Sequence, residues 1–484
     1  MKRSEPIDLS AFRGTPVAVM GLGTSGLASA LALHRGGAEV LAWDDDPSAR
    51  QAAEEAGLPV TDLYEADLEP VEMLVLSPGI PHTHPKPHPV VTRARAAGCE
   101  IVSDVELLAR VRSEADFIGV TGTNGKSTTT ALIGYLLGNG DRAVAIGGNL
   151  GEPALALAAL GAGGIYVVEL SSYQLELLPS AVLDVAVLLN ISPDHLDRHG
   201  GLDGYVSAKM RVFRGQKKPQ TAVVGIDDNI TRRIAEDLAA AGQQIVVPIS
   251  GRQPAPGGVY VKDGWLVDDT RGHRERTVDL AGIPTLPGSH NAQNAAAAYA
   301  AAAAVGMDRE ATARRMSTYP GLAHRQELVD VVDGVLFVND SKATNADATA
   351  RALESYDNVY WIAGGRAKEG GIASLRQYFP RIRHAYLIGE TAEAFAAELA
   401  GRAGATVCGE LARAVRQAHA QATADATPDG RMPVVLLSPA CASFDQFANF
   451  EARGEAFRVA VMALPGRHTD PTSVPPSSYS GWLA

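Results

Sequence analysis

The sequence predicts an α/β protein of three domains, each a largely parallel sheet wrapped by helices. Short apolar runs alternate with helix-patterned segments along nearly the whole chain, the arrangement of parallel strands joined by crossover helices. The runs fall into three groups. "PVAVMG", "EVLAWD" and "MLVLSPG" form the first, and "DFIGVTG", "GIYVVELSS" and "DVAVLLNIS" the second. "GVLFVND", "NVYWIAGG", "HAYLIGE" and "PVVLLSPA" form the third. A length of 484 residues also exceeds what one hydrophobic core ordinarily supports. The expected domains are 1–104, 105–322 and 323–466. The remaining segment, 467–484, is rich in Pro and Ser, has little to bury, and is expected to be disordered.

In the first group, "VMGLGTSGLASALAL" places Gly21, Gly23 and Gly26 between a strand and a helix. Glycines there permit a tight turn and close backbone approach, and the helix N-terminus faces a phosphate. Asp44 ends the next strand, at the spacing for gripping a ribose hydroxyl. This predicts a Rossmann-like N-terminal domain. Asp45 and Asp46 disfavour a 2′-phosphate but leave NAD, FAD and a UDP-sugar open.

The second group opens with "DFIGVTGTNGKSTTT", a strand, a glycine turn and a helix bearing Leu132, Ile133, Leu136 and Leu137. The usual phosphate loop is G-x-x-x-x-G-K-[ST], yet Val120 stands where its first glycine belongs. The donors survive that change. Backbone N–H groups from Thr123 to Ser127 can wrap phosphate oxygens, Lys126 can reach outer phosphates, and Ser127 or Thr128 can meet Mg²⁺. A central P-loop-type ATPase sheet is the reading. Between 250 and 285, "GGVYVKDGWLVDD" predicts an inserted β-hairpin.

Composition narrows the partners. A formal net charge of −12 argues against a nucleic-acid binder, although clustered Lys and Arg can still hold anionic substrates. Cys99, Cys408 and Cys441 share no metal-ligand spacing, which fits a reducing cytoplasm. "MKRSEPIDLSAFRG" lacks an apolar h-region and is not a secretory signal. "AAAAYAAAAAV", 295–305, is shorter than the roughly 20 residues of a membrane span and reads as a tightly packed helix. In "PHTHPKPHP", prolines hold His82, His84 and His88 in an extended loop that converges poorly on a metal.

"GVTGTNGKSTTT", "VVELSSYQLE", "NISPDHLDRHG", "GSHNAQNAAAA", "NDSKATN" and "SPACASFDQF" occur in this order. Together, over residues 15–465, they resemble the Mur ligases of peptidoglycan synthesis, and the last two resemble the D-glutamate-adding branch. In that family the loop reads G-T/S-N-G-K-S/T, so Val120 is no departure from it. The resemblance implies ATP-driven amide formation through an acyl phosphate, in a cytoplasmic monomer. Its substrates would be UDP-N-acetylmuramoyl-L-alanine and D-glutamate, with two Mg²⁺ ions. A folate-type ligase lacks the N-terminal glycine loop, and an NAD-dependent oxidoreductase with an added NTPase domain is the alternative from another class.

The resemblance also implies roles. Gly122, Thr123, Asn124, Gly125, Lys126, Ser127 and Thr128 would hold ATP phosphates, with Lys126, Glu169, His195 and Lys209 catalytic. Ser127, Glu169, His195 and Lys209 would hold Mg²⁺, Lys209 after carbamylation by CO₂. Read alone, Lys209 is a solvated helix lysine. Asn291 and Asn294 share a helix face that could hold adenine and ribose; capping is the bland alternative. His199 is read as structural, and Cys441 as packing. Gly23, Thr24, Ser25, Asp44, Ser77 and Gly79 would bind the UDP moiety, with Asn149, Ser171 and Gln174 facing the shared substrate. His324 and Arg325 follow the hinge-like "YPGLA", with Arg325 reaching the γ-phosphate and Asp340 the ribose. Lys342 and Thr344 are expected at a helix start, a site for anions. Lys368, Thr344, Ser443 and the backbone of Phe450 would hold the D-glutamate carboxylate. The C-terminal domain is expected to be Rossmann-like.

Overall fold

The structure, a computed structural model, describes residues 5–475, 478 and 479 apart from 113, 139, 150, 368, 369 and 426–430. The chain packs as two compact units. One comprises Met1–Tyr260, Val267–Glu275 and Gln293–Ala313; the other comprises Val261–Leu266, Arg276–Ala292 and Arg314–Ala484.

The first unit contains the N-terminal sheet, in the spatial order Glu39–Trp43, Pro16–Met20, Met73–Leu76, Glu100–Val102, all parallel. The order reverses between Pro16–Met20 and Met73–Leu76, and α/β sheets open a ligand crevice at the carboxyl end of such a switch. Gly21 and Ser77 follow those two strands. A Cβ on Gly26 would lie 1.7 Å from the Gly21 carbonyl oxygen, so only glycine lets the helix Thr24–Gly36 approach the turn.

The central sheet continues Val144–Gly148, Ile165–Glu169, Asp116–Thr121, Val185–Leu188, Thr221–Gly225, Ile245–Ser250, all parallel. Its inner strands are apolar on both faces because helices cover both. Gly119, beside the missing loop glycine, is a packing residue: a Cβ there would meet the Leu183 Cδ1 at 2.5 Å. The inserted hairpin forms as expected. Val259–Lys262 and Trp265–Asp268 flank Asp263-Gly264, whose φ values of 52° and 77° are those of a primed two-residue turn. The alanine run lies in the helix Ser289–Ala304, with Ala295–Ala298 at 0 % exposure.

Residue 104 is not a break in packing. One hydrophobic core runs from Ile7 through Leu107, Leu108 and Phe117 to Ala235, and the helix Asp104–Val111 lies within it.

The second unit is built on Ala405–Gly409, Ile382–Ile388, Val359–Gly364, Val434–Leu437 and Val335–Asn339, parallel throughout. Glu327–Val332 pairs antiparallel at the edge, followed by His468–Thr469. This corrects the expectation of a disordered tail for its described residues. Thr469 and His468 pair with Val331 and Val332, while the Met432 N–H donates to the Ser478 carbonyl at 2.8 Å. Tyr479 is fully buried, its ring 6.0 Å from that of Tyr356. Composition averages over the segment and hides one aromatic ring that fills a core site.

The Tyr479 hydroxyl is buried without a hydrogen-bond partner among the described residues. Tyr479→Phe is therefore expected to leave stability unchanged or raise it. Tyr479→Ala should cost about 3–5 kcal/mol, as large-to-small core changes do. Chemical denaturation measures both; equal stability of Tyr479→Ala and the native chain would refute the anchoring role.

Candidate functional site

The strand Asp116–Thr121 feeds a turn in which Gly122 and Gly125 take φ values of 151° and 87°, and the helix Lys126–Leu137 follows. The turn is clasped from the neighbouring strand. The Asn190 carbonyl accepts the Thr123 N–H at 2.9 Å, and Asn190 Oδ1 accepts the Asn124 N–H at 2.9 Å. Asn190 Nδ2 donates back to the Asn124 carbonyl at 3.1 Å. Two N–H groups expected to wrap phosphate thus hold the loop in shape. Lys126 Nζ folds over the loop, donating to the Gly122 and Thr123 carbonyls, each at 2.9 Å. Ser127 and Thr128 are buried at the helix start.

Glu169 ends its strand only 2 % exposed. Its Oε1 accepts from Asn149 Nδ2 at 2.7 Å, while Oε2 is buried without a hydrogen-bond partner among the described residues. A buried carboxylate oxygen left bare costs several kcal/mol or so unless a proton or cation meets it, which suits a bound Mg²⁺. Among the described residues no group of three His, Cys, Asp or Glu converges to cage a metal.

His195 caps the short helix Leu196–His199 in the left-handed region, φ 51°. Its ring lies 5.2 Å from that of Tyr173, and Asp194 Oδ2 is 3.5 Å from Nε2. Burial holds its pKa below the usual value, opposed by Asp194 and reinforced by Lys126 and Lys209. A neutral imidazole results, the form that binds metals. His199 is structural: Nδ1 meets Glu176 at 3.2 Å and Nε2 meets the Ser172 hydroxyl at 2.9 Å.

Lys209 departs most from its bland reading. On the helix Leu202–Met210 it is 1 % exposed, donating to the Gly122 carbonyl at 2.9 Å beneath the phosphate loop. Burial, then the nearby Lys126 charge, push its pKa well below the lysine range, against the pull of Asp194 and Glu169.

In the N-terminal sheet, a cavity is lined by Gly21, Gly23, Asp44, Ser77, Gly79 and His88. Asp44 braces it: Oδ2 accepts the Leu22 N–H at 2.5 Å, and Ser77 Oγ donates to the Gly21 carbonyl at 2.9 Å. Thr24 and Ser25 open the following helix. The three histidines of 81–89 separate, His82 to Glu176, His84 beside Gly200, and His88 to Asp45.

Several expected ligand residues have structural partners. Ser171 and Gln174 form a reciprocal capping box on Ser172–Glu176. Asn291 Nδ2 donates to the Pro287 carbonyl at 2.7 Å. Asn294 Oδ1 accepts from Thr129 at 3.2 Å, and a Cβ on Gly125 would lie 2.3 Å from it, so Asn294 packs against the phosphate loop.

In the second unit, Asp340 is 4 % exposed and accepts from the Gln326 N–H at 3.2 Å and the Ser438 hydroxyl at 2.8 Å. Burial raises its pKa to about 7, against those bonds and the Arg325 charge. His324 has φ 61°, and Arg325 follows it. Lys342 Nζ lies 3.9 Å from the Phe450 ring centroid. Lys342 and Thr344 lie in the turn before a helix rather than opening it; Asn345 caps that helix, Ala346–Ser355. Ser443 is buried and Phe450 begins the helix Phe450–Met462. Cys441 is buried with its Sγ 3.5 Å from the Thr391 hydroxyl. Lys368 lies outside the described residues.

Fold and loop together define an α/β protein that binds a nucleotide through a phosphate loop. Three family patterns match along the chain: "Mur ligase MurD-like, N-terminal domain" over 15–103, "Mur ligase middle domain" over 120–302, and "Mur ligase, glutamate ligase domain" over 324–441. The chain belongs to the Mur ligase family. A protein of Phenylobacterium zucineum named UDP-N-acetylmuramoylalanine–D-glutamate ligase is 52% identical, covering 96% of this chain and 99% of its own. One of the same name from Paramagnetospirillum magneticum is 53% identical over 95% of this chain and 98% of its own. Among solved structures, the Thermotoga maritima UDP-N-acetylmuramate-alanine ligase aligns with a TM-score of 0.56 at 16% identity, over 93% of this chain and 99% of that one. The Thermotoga maritima MurF ligase in complex with ADP aligns at 0.51 and 19% identity, over 83% and 99%. These last two speak for the fold alone. Among the described residues no helix is long and apolar enough to cross a membrane.

Asp340 sets a pH test. Its folded pKa of about 7 lies above the ordinary aspartate value of 3.8, so between the two the folded chain holds a proton that the unfolded chain has lost. Its contribution to stability is fully present below about pH 4 and lost as pH rises through about 7. Asp340→Asn should flatten that decline, read as denaturation midpoints across the window. An unchanged slope would refute the assignment.

Proposed function

We propose that this chain joins D-glutamate to UDP-N-acetylmuramoyl-L-alanine, converting ATP to ADP and phosphate, as a cytoplasmic monomer in peptidoglycan precursor synthesis. The observation that carries the reaction type is the grouping of Lys126, the half-bare Glu169 carboxylate and the buried Lys209 around one phosphate loop. The substrates come from the name shared by relatives about half identical over nearly the full chain.

In this reading 1–104 binds the UDP moiety in the cavity at Gly21, Asp44 and Ser77, 105–322 binds ATP, and 323–466 binds D-glutamate. The substrate carboxylate attacks the γ-phosphorus, the bond to ADP breaks, and an acyl phosphate forms. The D-glutamate amine then attacks the acyl carbon, loses a proton, and expels phosphate. Lys126 and the helix N-terminus hold the phosphates in line. Mg²⁺, two ions here, would be held by Ser127, Glu169, His195 and Lys209, and supplies neutralisation of charge on the transferring phosphoryl group. Burial pushes the Lys209 pKa well below the lysine range, which favours the uncharged amine. That amine can add CO₂ and release a proton, leaving an anionic carbamate. Arg325 would meet the γ-phosphate, Asp340 the ribose, and Asn291 and Asn294 the adenine side. Lys368, Thr344, Ser443 and the Phe450 backbone would receive the D-glutamate carboxylate, with Lys342 and His324 beside them.

Phosphate release in the presence of ATP and UDP-N-acetylmuramoyl-L-alanine should be stimulated by D-glutamate alone among D- and L-amino acids. Stimulation by a different amino acid would overturn the substrate assignment. Lys368→Ala should raise the D-glutamate KM at least about tenfold, as losing a charged contact does, with the ATP KM unchanged. Carbonate-free buffer should depress native activity and bicarbonate restore it, whereas Lys209→Ala stays inactive; full activity of Lys209→Ala would remove the carbamate from the mechanism.

A further inference from the structure

Two side-chain amides, Asn190 and Gln293, join the phosphate loop to Asp227, which follows the strand Thr221–Gly225. A backbone N–H can only donate, so the Asn124 N–H fixes Asn190 Oδ1 as the end facing the loop. Asn190 Nδ2 then gives its two hydrogens to the Asn124 carbonyl and Gln293 Oε1, each at 3.1 Å. That leaves Gln293 Nε2 to donate to Asp227 Oδ2 at 3.0 Å. The far end dictates the same directions. Ser250 Oγ accepts the Arg252 and Gln253 N–H groups at 3.1 and 2.9 Å, so its own proton goes to Asp227 Oδ1, 2.5 Å away. The Gly251 N–H donates to Oδ2 at 2.9 Å. Both carboxylate oxygens therefore act as acceptors, and a donor is what Gln293 must turn toward them.

Gln293 is only 5 % exposed, so water is no ready substitute for either of these bonds. A Cβ on Gly225 would lie 1.9 Å from the Leu189 carbonyl oxygen and 2.9 Å from Gln293 Nε2, so glycine leaves this amide its path. The adjacent Asp228 holds the same stretch of chain directly. Its Oδ2 accepts the Ile191 N–H at 3.2 Å, while Oδ1 caps the helix Asn229–Ala241.

We propose that Gln293 is a positioning residue for the phosphate loop, oriented by Asp227 so that its carbonyl fixes the Asn190 amide against Asn124. The proposal rests on the reading of this loop as the ATP site. Gln293 lies in the helix Ser289–Ala304 and acts on the nucleotide only through Asn190, whereas Asn291 and Asn294 are the neighbours assigned to meet it. A loop already in shape before the nucleotide arrives has less freedom to lose on binding.

Gln293→Met keeps the length of the side chain and removes both ends of the amide. The ADP dissociation constant, by calorimetry, should rise about tenfold, as for the loss of a buried hydrogen bond. Amide hydrogen exchange in the ligand-free protein should quicken at Thr123 and Asn124 and stay native along Thr221–Gly225. The D-glutamate KM should not change. A merely structural role would instead lower stability and quicken exchange along that strand, with ADP affinity unmoved, and this result would overturn the proposal. Gln293→Glu sets a carboxylate against Asp227 and should weaken ADP binding further. Adding Asp227→Asn offers that carboxylate an NH₂ group, at the loss of the Gly251 bond, so the double variant should bind ADP more tightly than Gln293→Glu alone. That comparison decides the matter if Gln293→Met does not fold, and simple addition of the two defects would overturn the proposal. Failure of the ATP reading shows separately, as a native chain that binds no ADP.

Discussion

The phosphate loop keeps its shape because Asn190 holds it from the neighbouring strand. Backbone carbonyl and side-chain amide together engage Thr123 and Asn124 on three bonds between 2.9 and 3.1 Å. Asn190 Nδ2 also meets Gln293 Oε1, and Gln293 in turn donates to Asp227. The loop is therefore one end of a polar chain laid across the carboxyl edge of the central sheet. With its early N–H groups engaged, the loop directs the helix start outward and leaves room beneath for Lys209. A loop without this brace would have to order itself around the nucleotide and lose affinity in doing so.

That arrangement explains how an unusual charge balance persists in a buried place. Lys209 sits under the loop with a carbonyl as its acceptor, near Lys126 and within the field of Glu169 and Asp194. Glu169 offers one satisfied and one bare oxygen. In the proposed reaction phosphate, a cation and a carbamate on Lys209 would together meet these groups. A buried lysine beside a half-bare carboxylate at a sheet's switch point is a mark of chemistry rather than of packing.

Much of this was legible in one dimension. Apolar runs named the strands because parallel strands buried on both faces need little alternation, and glycine turns marked where they open. Gly26 could be read as special because close backbone approach excludes a side chain there. The ligand roles proposed for Glu169 and Lys209 rest on the ordered motifs, since an acid and a lysine carry no label of their own. Ser171 and Gln174 show the limit in the other direction: a Ser-x-x-Gln spacing states a capping box as clearly as a ligand pair, and the structure forms the box.

The sequence by itself determined the alternation of elements, the position of both glycine loops and the hairpin turn at Asp263-Gly264, because these depend on local backbone sterics and periodicity. Tertiary structure alone decided what depends on partners distant in the chain. It buried Lys209 beneath Gly122, turned Asp104 inward to Ala154, and seated Tyr479 against Tyr356. Burial and hydrogen-bond partnership are properties of the neighbours a residue acquires on folding. The same lysine, aspartate or tyrosine reads as surface or tail until those neighbours are in place.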